Sequence, residues 1–124
     1  DSTGPYKNGD TVTITATFNE AMADSSVPRI AISGSGIANV IATNMTKSST
    51  TVYTYIYSVP TGNGTGNISL SNGTDVAGNV ITSTPTSGAT FTVKNTNIGL
   101  VIGSIAVIAA VSGFFAYRYL KKKN

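Results

Sequence analysis

The 124 residues contain no cysteine and no histidine, and only 10% of them are charged. Without cysteine there is no disulfide frame, no thiolate nucleophile and none of the usual redox chemistry. Without histidine the commonest general base and the commonest metal ligand are both missing. Serine and threonine abound, but no base accompanies them and no lysine stands in an evidently buried setting. A nucleophile–base pair is therefore absent, and the expectation is no enzyme and no cofactor. The lack of cysteine does not fix the compartment, although exported eukaryotic domains of this size more often carry a disulfide.

What the chain does have is a long apolar run near its end, "IGLVIGSIAVIAAVSGFFAYRYLKKKN". Ile98 to Tyr117 is twenty residues without a charge. A helix rising ~1.5 Å per residue needs about that length to cross a ~30 Å hydrocarbon layer. A signal peptide would carry its basic end first and lie at the N-terminus. A core helix apolar all round seldom runs so far, and a domain of this size has no second layer to enclose it. A removable sorting tail also ends in an apolar run with a basic tip, but neither an LPxTG-like pentapeptide nor a PGF tripeptide precedes Ile98. The expectation is a retained transmembrane helix over 97–120 and a cytoplasmic basic tail over 121–124.

Arg118, Lys121, Lys122 and Lys123 all follow the run. Positive residues flanking a span stay on the cytoplasmic side, so residues 1–96 are expected outside. Phe114, Phe115, Tyr117 and Tyr119 gather at the same end, where aromatic rings suit the headgroup level and Arg118 can snorkel. Before the run, Lys7, Arg29, Lys47 and Lys94 stand against Asp1, Asp10, Glu20, Asp24 and Asp75, four minus five, or −1. The four basic tail residues bring the total to +3. The basic balance is thus a topology signal and does not speak for nucleic acid as a partner. Gly99 with Gly103 and Ala109 with Gly113 are small-xxx-small pairs that let two spans approach closely.

Residues 1–96 read as one small β domain. In "DTVTITATF" Val12, Ile14, Ala16 and Phe18 alternate with threonines, a period of two that turns one face to a core. "PRIAIS" repeats the pattern, and in "TVYTYIYSV" Tyr53, Tyr55 and Tyr57 share a face. Further strands are expected within 37–45, around Ile68 and Leu70, near Val80 and Ile81, and in "ATFTVK". Clusters of Gly, Asn, Ser, Thr and Pro between them supply turns, and "GNGTG" at 62–66 is read as one of these, since it lacks the Lys-Ser/Thr ending of a phosphate loop. Short strands at this spacing with no amphipathic helix predict an antiparallel β-sandwich.

Two acidic residues stand in distinctive contexts, Glu20 in "TFNEAM" and Asp75 in "GTDVAGN". They are the weak calcium candidates of the chain, calcium being bound by carboxylates together with backbone oxygens. Alternatively, Asp75 and Asn79 bond to their own backbone in a tight turn in which Gly78 takes a positive φ. Asn-x-Ser/Thr acceptor patterns for glycosylation occur at Asn44, Asn63, Asn67 and Asn72.

The stretches "GPYKNGDTVTITATFNEAM", "PRIAISG", "NMTKSSTTVYTYIYSVPTGNGTGNISLSNGTDVAGNVI" and "PTSGATFTV" together resemble one unit of the Ig-like repeats of large prokaryotic surface proteins. The marks are a strand ending in Phe-x-Glu-x-Met, a Tyr-rich middle strand and an Asp-x-Ala-Gly-Asn turn, over residues 4–93. The resemblance implies an all-β, Ig-like antiparallel β-sandwich followed by a single C-terminal transmembrane α-helix. It also implies a spacer, lattice-forming or adhesive role without catalysis. The expected whole is the last repeat and membrane anchor of an archaeal S-layer-type coat glycoprotein, or else the stalk of a multi-repeat adhesin or receptor. Its partners would be the lipid bilayer, neighbouring Ig-like repeats of the same protein and copies of itself in a lattice. Units of this kind have a further strand before the "GPYK" turn, where only Asp1, Ser2 and Thr3 stand. The chain is then expected to be the C-terminal piece of a longer protein, or to take its first strand from a neighbour; an unfilled edge is a ready site for pairing.

Overall fold

The computed structural model describes residues 4–95 and 102–109. The strands among these are β1 Thr11–Phe18, β2 Arg29–Ser33, β3 Val40–Asn44, β4 Thr46–Lys47, β5 Val52–Ser58, β6 Asn63–Ser71, β7 Thr90–Lys94 and β8 Ile102–Ala109. They form two four-stranded sheets, in the orders β4-β5-β1-β8 and β3-β2-β6-β7. Every pairing between named strands is antiparallel except β1 with β8, which is parallel. The all-β reading and the two-sheet sandwich therefore hold.

The alternation read in the sequence decides which side chains meet between the sheets. Val12, Ile14, Ala16 and Phe18 of β1 are all at most 1% exposed, while the threonines between them face outward. From the opposite sheet Ile30, Ile32, Ile68, Leu70, Phe91 and Val93 close the core. Tyr53 and Tyr57 are buried and Tyr55 packs partly against them, so the three tyrosines share a face as expected. The rings meet edge to face, Phe18 on Tyr53 at 5.9 Å and Tyr57 on Phe91 at 5.5 Å between centroids, the arrangement favoured by the ring quadrupole. Each such fully buried side chain contributes about 1.5–3 kcal/mol relative to leaving it in water.

The strand expected near Val80 and Ile81 is reduced to an isolated bridge of Val80 with Thr74, and two further segments depart from the reading of the sequence. The glycine-rich stretch at 62–66 is not only a turn: Asn63 to Gly66 open β6 and pair with Lys94 to Phe91 of β7. The glycines are needed because Phe91 of the neighbouring strand β7 and Ser35 of the loop after β2 lie against them. A Cβ on Gly66 would come within 2.4 Å of the Phe91 ring, and one on Gly64 within 2.0 Å of the Ser35 carbonyl oxygen.

The second departure is larger. Ile102–Ala109, expected inside a transmembrane helix over 97–120, forms a β-strand paired with β1 along its whole length, from Thr11 opposite Ile102 to Phe18 opposite Ala109. No helix among the described residues is long and apolar enough to cross a membrane. Residues 97–101 and 110–120 of that expected helix, and the basic tail with Arg118, Lys121, Lys122 and Lys123, lie outside the described residues. The physical reason for the difference is that an apolar run rich in Ile and Val satisfies a buried strand as readily as a helix. The β1 edge supplies backbone partners for eight of these residues.

Candidate functional site

The part of the fold that asks for a functional account is the seat of β8, which has four sides. Along its length β1 supplies the parallel ladder. At its start Tyr6 lies across it. The Tyr6 backbone belongs to the other sheet, its N–H donating to the Thr92 carbonyl and its carbonyl accepting from the Lys94 N–H. Its ring turns back to cover Gly103, and its hydroxyl donates to the Ser104 carbonyl at 3.2 Å. A Cβ on Gly103 would meet the Tyr6 ring at 2.4 Å. On the outer side, Ser87 forms an antiparallel bridge with Ile108. The Thr86 N–H and hydroxyl both donate to the Ile108 carbonyl, at 2.7 and 2.9 Å, and the Ile108 N–H donates to the Ser87 carbonyl at 3.1 Å. Gly88, at φ 73°, allows this approach, since a Cβ there would lie 2.1 Å from the Ala106 carbonyl oxygen. Inward, Ile105, Val107 and Ala109 are at most 1% exposed.

The end where β8 begins is tied by polar groups. The Asn95 side-chain oxygen accepts from the Asn8 N–H, its amide donates to the Gly62 carbonyl, and its N–H donates to the Asn63 side-chain oxygen. Beside it, Lys7 and Asp10 form a buried pair at 3.6 Å, and the Lys7 N–H donates to the same carboxylate at 2.9 Å. Asp10 is only 1% exposed, so its pairing is a requirement of the fold rather than a surface ornament.

The two acidic residues singled out in the sequence belong to backbone segments that do meet. The loop after β1 pairs with the Asp75 turn: Met22 bridges Asp75, the Ala23 N–H donates to the Thr74 carbonyl, and the Val76 N–H donates to the Ala21 carbonyl. Glu20 is half-buried on that loop. Asp75 itself is taken up by its own turn. Its Oδ1 accepts from the N–H groups of Ala77 and Asn79 at 3.0 and 2.8 Å, its Oδ2 accepts from the Asn79 side-chain amide at 3.0 Å, and Gly78 sits at φ 94°. The Asn79 side-chain amide, against the opposing effect of burial and helped by the backbone N–H groups, holds the Asp75 carboxyl below its usual range. The tight-turn reading of this motif is what the geometry displays. Among the described residues no three acidic side chains stand together in a metal-ligating group.

The four glycosylation candidates are all exposed. Asn44 ends β3 and accepts from Arg29; Asn63 opens β6 and accepts from Asn95. Asn67 lies inside β6 and Asn72 just after it, each donating its amide to a backbone carbonyl, of Ser33 and Val27 respectively.

Reading the sequence missed the seat of β8 and with it Tyr6, Gly103 and the Thr86–Gly88 segment. A signal was present: "GSIAVIA" from Gly103 places Gly, Ile, Val and Ala at alternate positions, with Ser104 between them. The apolar length of the whole run masked that period of two. No protein family, curated protein or solved structure matches the chain.

Proposed function

We propose that this chain is the membrane-proximal domain and C-terminal membrane anchor of a structural cell-surface protein, tethering an S-layer-type coat to the cytoplasmic membrane. The observation that carries this reading is the order of parts: a β-sandwich, then twenty uncharged residues, then Arg118 and three consecutive lysines. The seat beside β1 takes eight residues of the run, and the run continues to Tyr117 before its first charge. A strand has no use for such length, whereas a bilayer has. The lysines would hold the span against withdrawal and favour anionic headgroups. The domain would work mechanically and without chemistry of its own, its surface bearing glycans at Asn44, Asn63, Asn67 and Asn72 where the host adds them.

Crossing a bilayer as a helix and pairing with β1 as a strand are mutually exclusive for Ile102–Ala109. Anchoring therefore requires β8 to leave the sheet.

The test is the intact mass of the native polypeptide extracted with detergent from its own membranes. A membrane-extracted species many times heavier than 12.7 kDa is the expected result, and imaging of the cell surface for a lattice then separates a coat from an adhesin stalk. Recovery of the chain only from fractions without lipid would remove the anchor reading.

A further inference from the structure

Ile102–Ala109 fits two environments that exclude each other. In the sheet Ile105, Val107 and Ala109 are buried on the core face, while on the other face Ser104 is exposed and Ile108 is buried. In the sequence it is the middle of a run long enough for a bilayer. A membrane helix has no need of alternation with Gly103 beneath a tyrosine, and a sheet edge has no need of twenty uncharged residues. We propose that the seat beside β1 is an internal binding site for the anchor segment: Ile102–Ala109 is stowed there while the chain is in water and leaves it to enter a lipid bilayer. This rests on the anchor reading above and adds where the anchor waits.

The walls of the seat are the first support. A strand that merely lay against an open edge would leave its outer backbone groups to solvent, yet both backbone groups of Ile108 are paired, with Thr86 and Ser87. The second is steric selection, since Gly103 under Tyr6 and Gly88 against the Ala106 carbonyl admit this segment and would refuse bulkier backbone neighbours. The third is the chemistry of the grip. The bonds that Tyr6, Thr86 and Ser87 make with β8 are hydrogen bonds between neutral groups, and beside them Ile105, Val107 and Ala109 are buried in the core. Leaving the seat in water exposes Ile105, Val107 and Ile108 and uncovers the β1 edge, so water holds the strand in. A bilayer offers the same side chains an equally apolar place, and a helix there satisfies every backbone group internally. Asn95, bonded to Asn63, Gly62 and Asn8, fixes the chain shortly before the apolar run that starts at Ile98.

The experiment uses the full chain and its freedom from cysteine. Thr13 and Ser104 are partners across β1 and β8, so Thr13→Cys with Ser104→Cys allows the strand to be locked by oxidation and released by reduction. Each form is refolded by dilution from urea and mixed with vesicles of phosphatidylcholine and phosphatidylglycerol, then floated on a density gradient. The reduced form is expected to float and to gain helical circular dichroism; the oxidised form is expected to bind at least about ten-fold less. A second variant, Gly103→Val, keeps the run uncharged but collides with Tyr6, and is expected to bind at least about three-fold more than the parent at limiting lipid. Failure of the disulfide to form in water would mean that the segment is not stowed. Equal flotation of oxidised and reduced forms, with Gly103→Val behaving as the parent, would overturn the stowing and leave the anchor intact. If the parent, the reduced form and Gly103→Val all stay off the vesicles, the anchor reading itself fails and takes the stowing with it.

Discussion

Asp75 shows how a single carboxylate can be settled by its own turn. Three donors from Ala77 and Asn79 converge on it, and its pKa is lowered, first by the Asn79 amide. A carboxyl whose folded pKa lies below its unfolded value of about 3.9 contributes stability that is fully present above that value and lost as pH falls through the depressed one. Asp75→Asn removes this titration. Urea midpoints measured from about pH 6 down to about pH 2 should therefore show a constant gap between the parent and Asp75→Asn at the neutral end that narrows below about pH 4. A gap that is unchanged across the whole range would mean that the turn does not hold the carboxylate in its charged form. Tyr57 behaves in the opposite sense: burial raises its pKa while its hydroxyl donates to the Ala38 carbonyl. Its contribution is complete below the unfolded tyrosine value, about 10, and fades as pH rises through the folded one.

At the scale of elements, β8 is the strand whose sequence has two meanings, and its two faces separate them. Ile105 points into the core at 1% exposure and Ser104 points out. With β8 seated, Ile105→Ala should lower the unfolding free energy of the chain in aqueous buffer by about 2–5 kcal/mol. Ser104→Ala should stay within about 0.5 kcal/mol. Equal, negligible effects at both positions in water would remove β8 from the sandwich. Much of the rest was legible in the sequence. The period of two gave β1, β2, β5 and β7 with their inward faces, because a side chain on a half-buried strand has only two directions to point. The turn at Asp75 was legible because Asp, Gly and Asn at that spacing have a local solution. Less legible were features set by distant partners. The start of β6 looks like a turn because its glycines are required by Phe91 and Ser35, far along the chain. The pairing of the Glu20 loop with the Asp75 turn joins two marks whose sequence contexts contain nothing of each other. β8 was hidden because the length of its apolar run outweighed its alternation.

For the molecule as a whole, the anchor reading places one end of the sandwich against lipid, and that end is the one knotted by Asn8, Asn63 and Asn95. Only a few residues separate Asn95 from the start of the apolar run at Ile98, so the sandwich would sit close to the headgroups with little freedom to tilt. The charge balance supports one direction of crossing: −1 before the run against four basic residues after it. Orientation can be read with a thiol, because the chain has none of its own. In cells expressing Asn124→Cys behind an export signal, an impermeant maleimide should label the tail only after the membrane is opened. Replacing Arg118, Lys121, Lys122 and Lys123 together with glutamine removes the bias that holds the tail inside, and a substantial fraction of the tails should then be labelled from outside in intact cells. Labelling of the unaltered basic tail in intact cells would mean that those four residues do not set the topology. The sandwich would then stand on the cytoplasmic side, where neither a coat nor the four glycosylation acceptors would have a purpose.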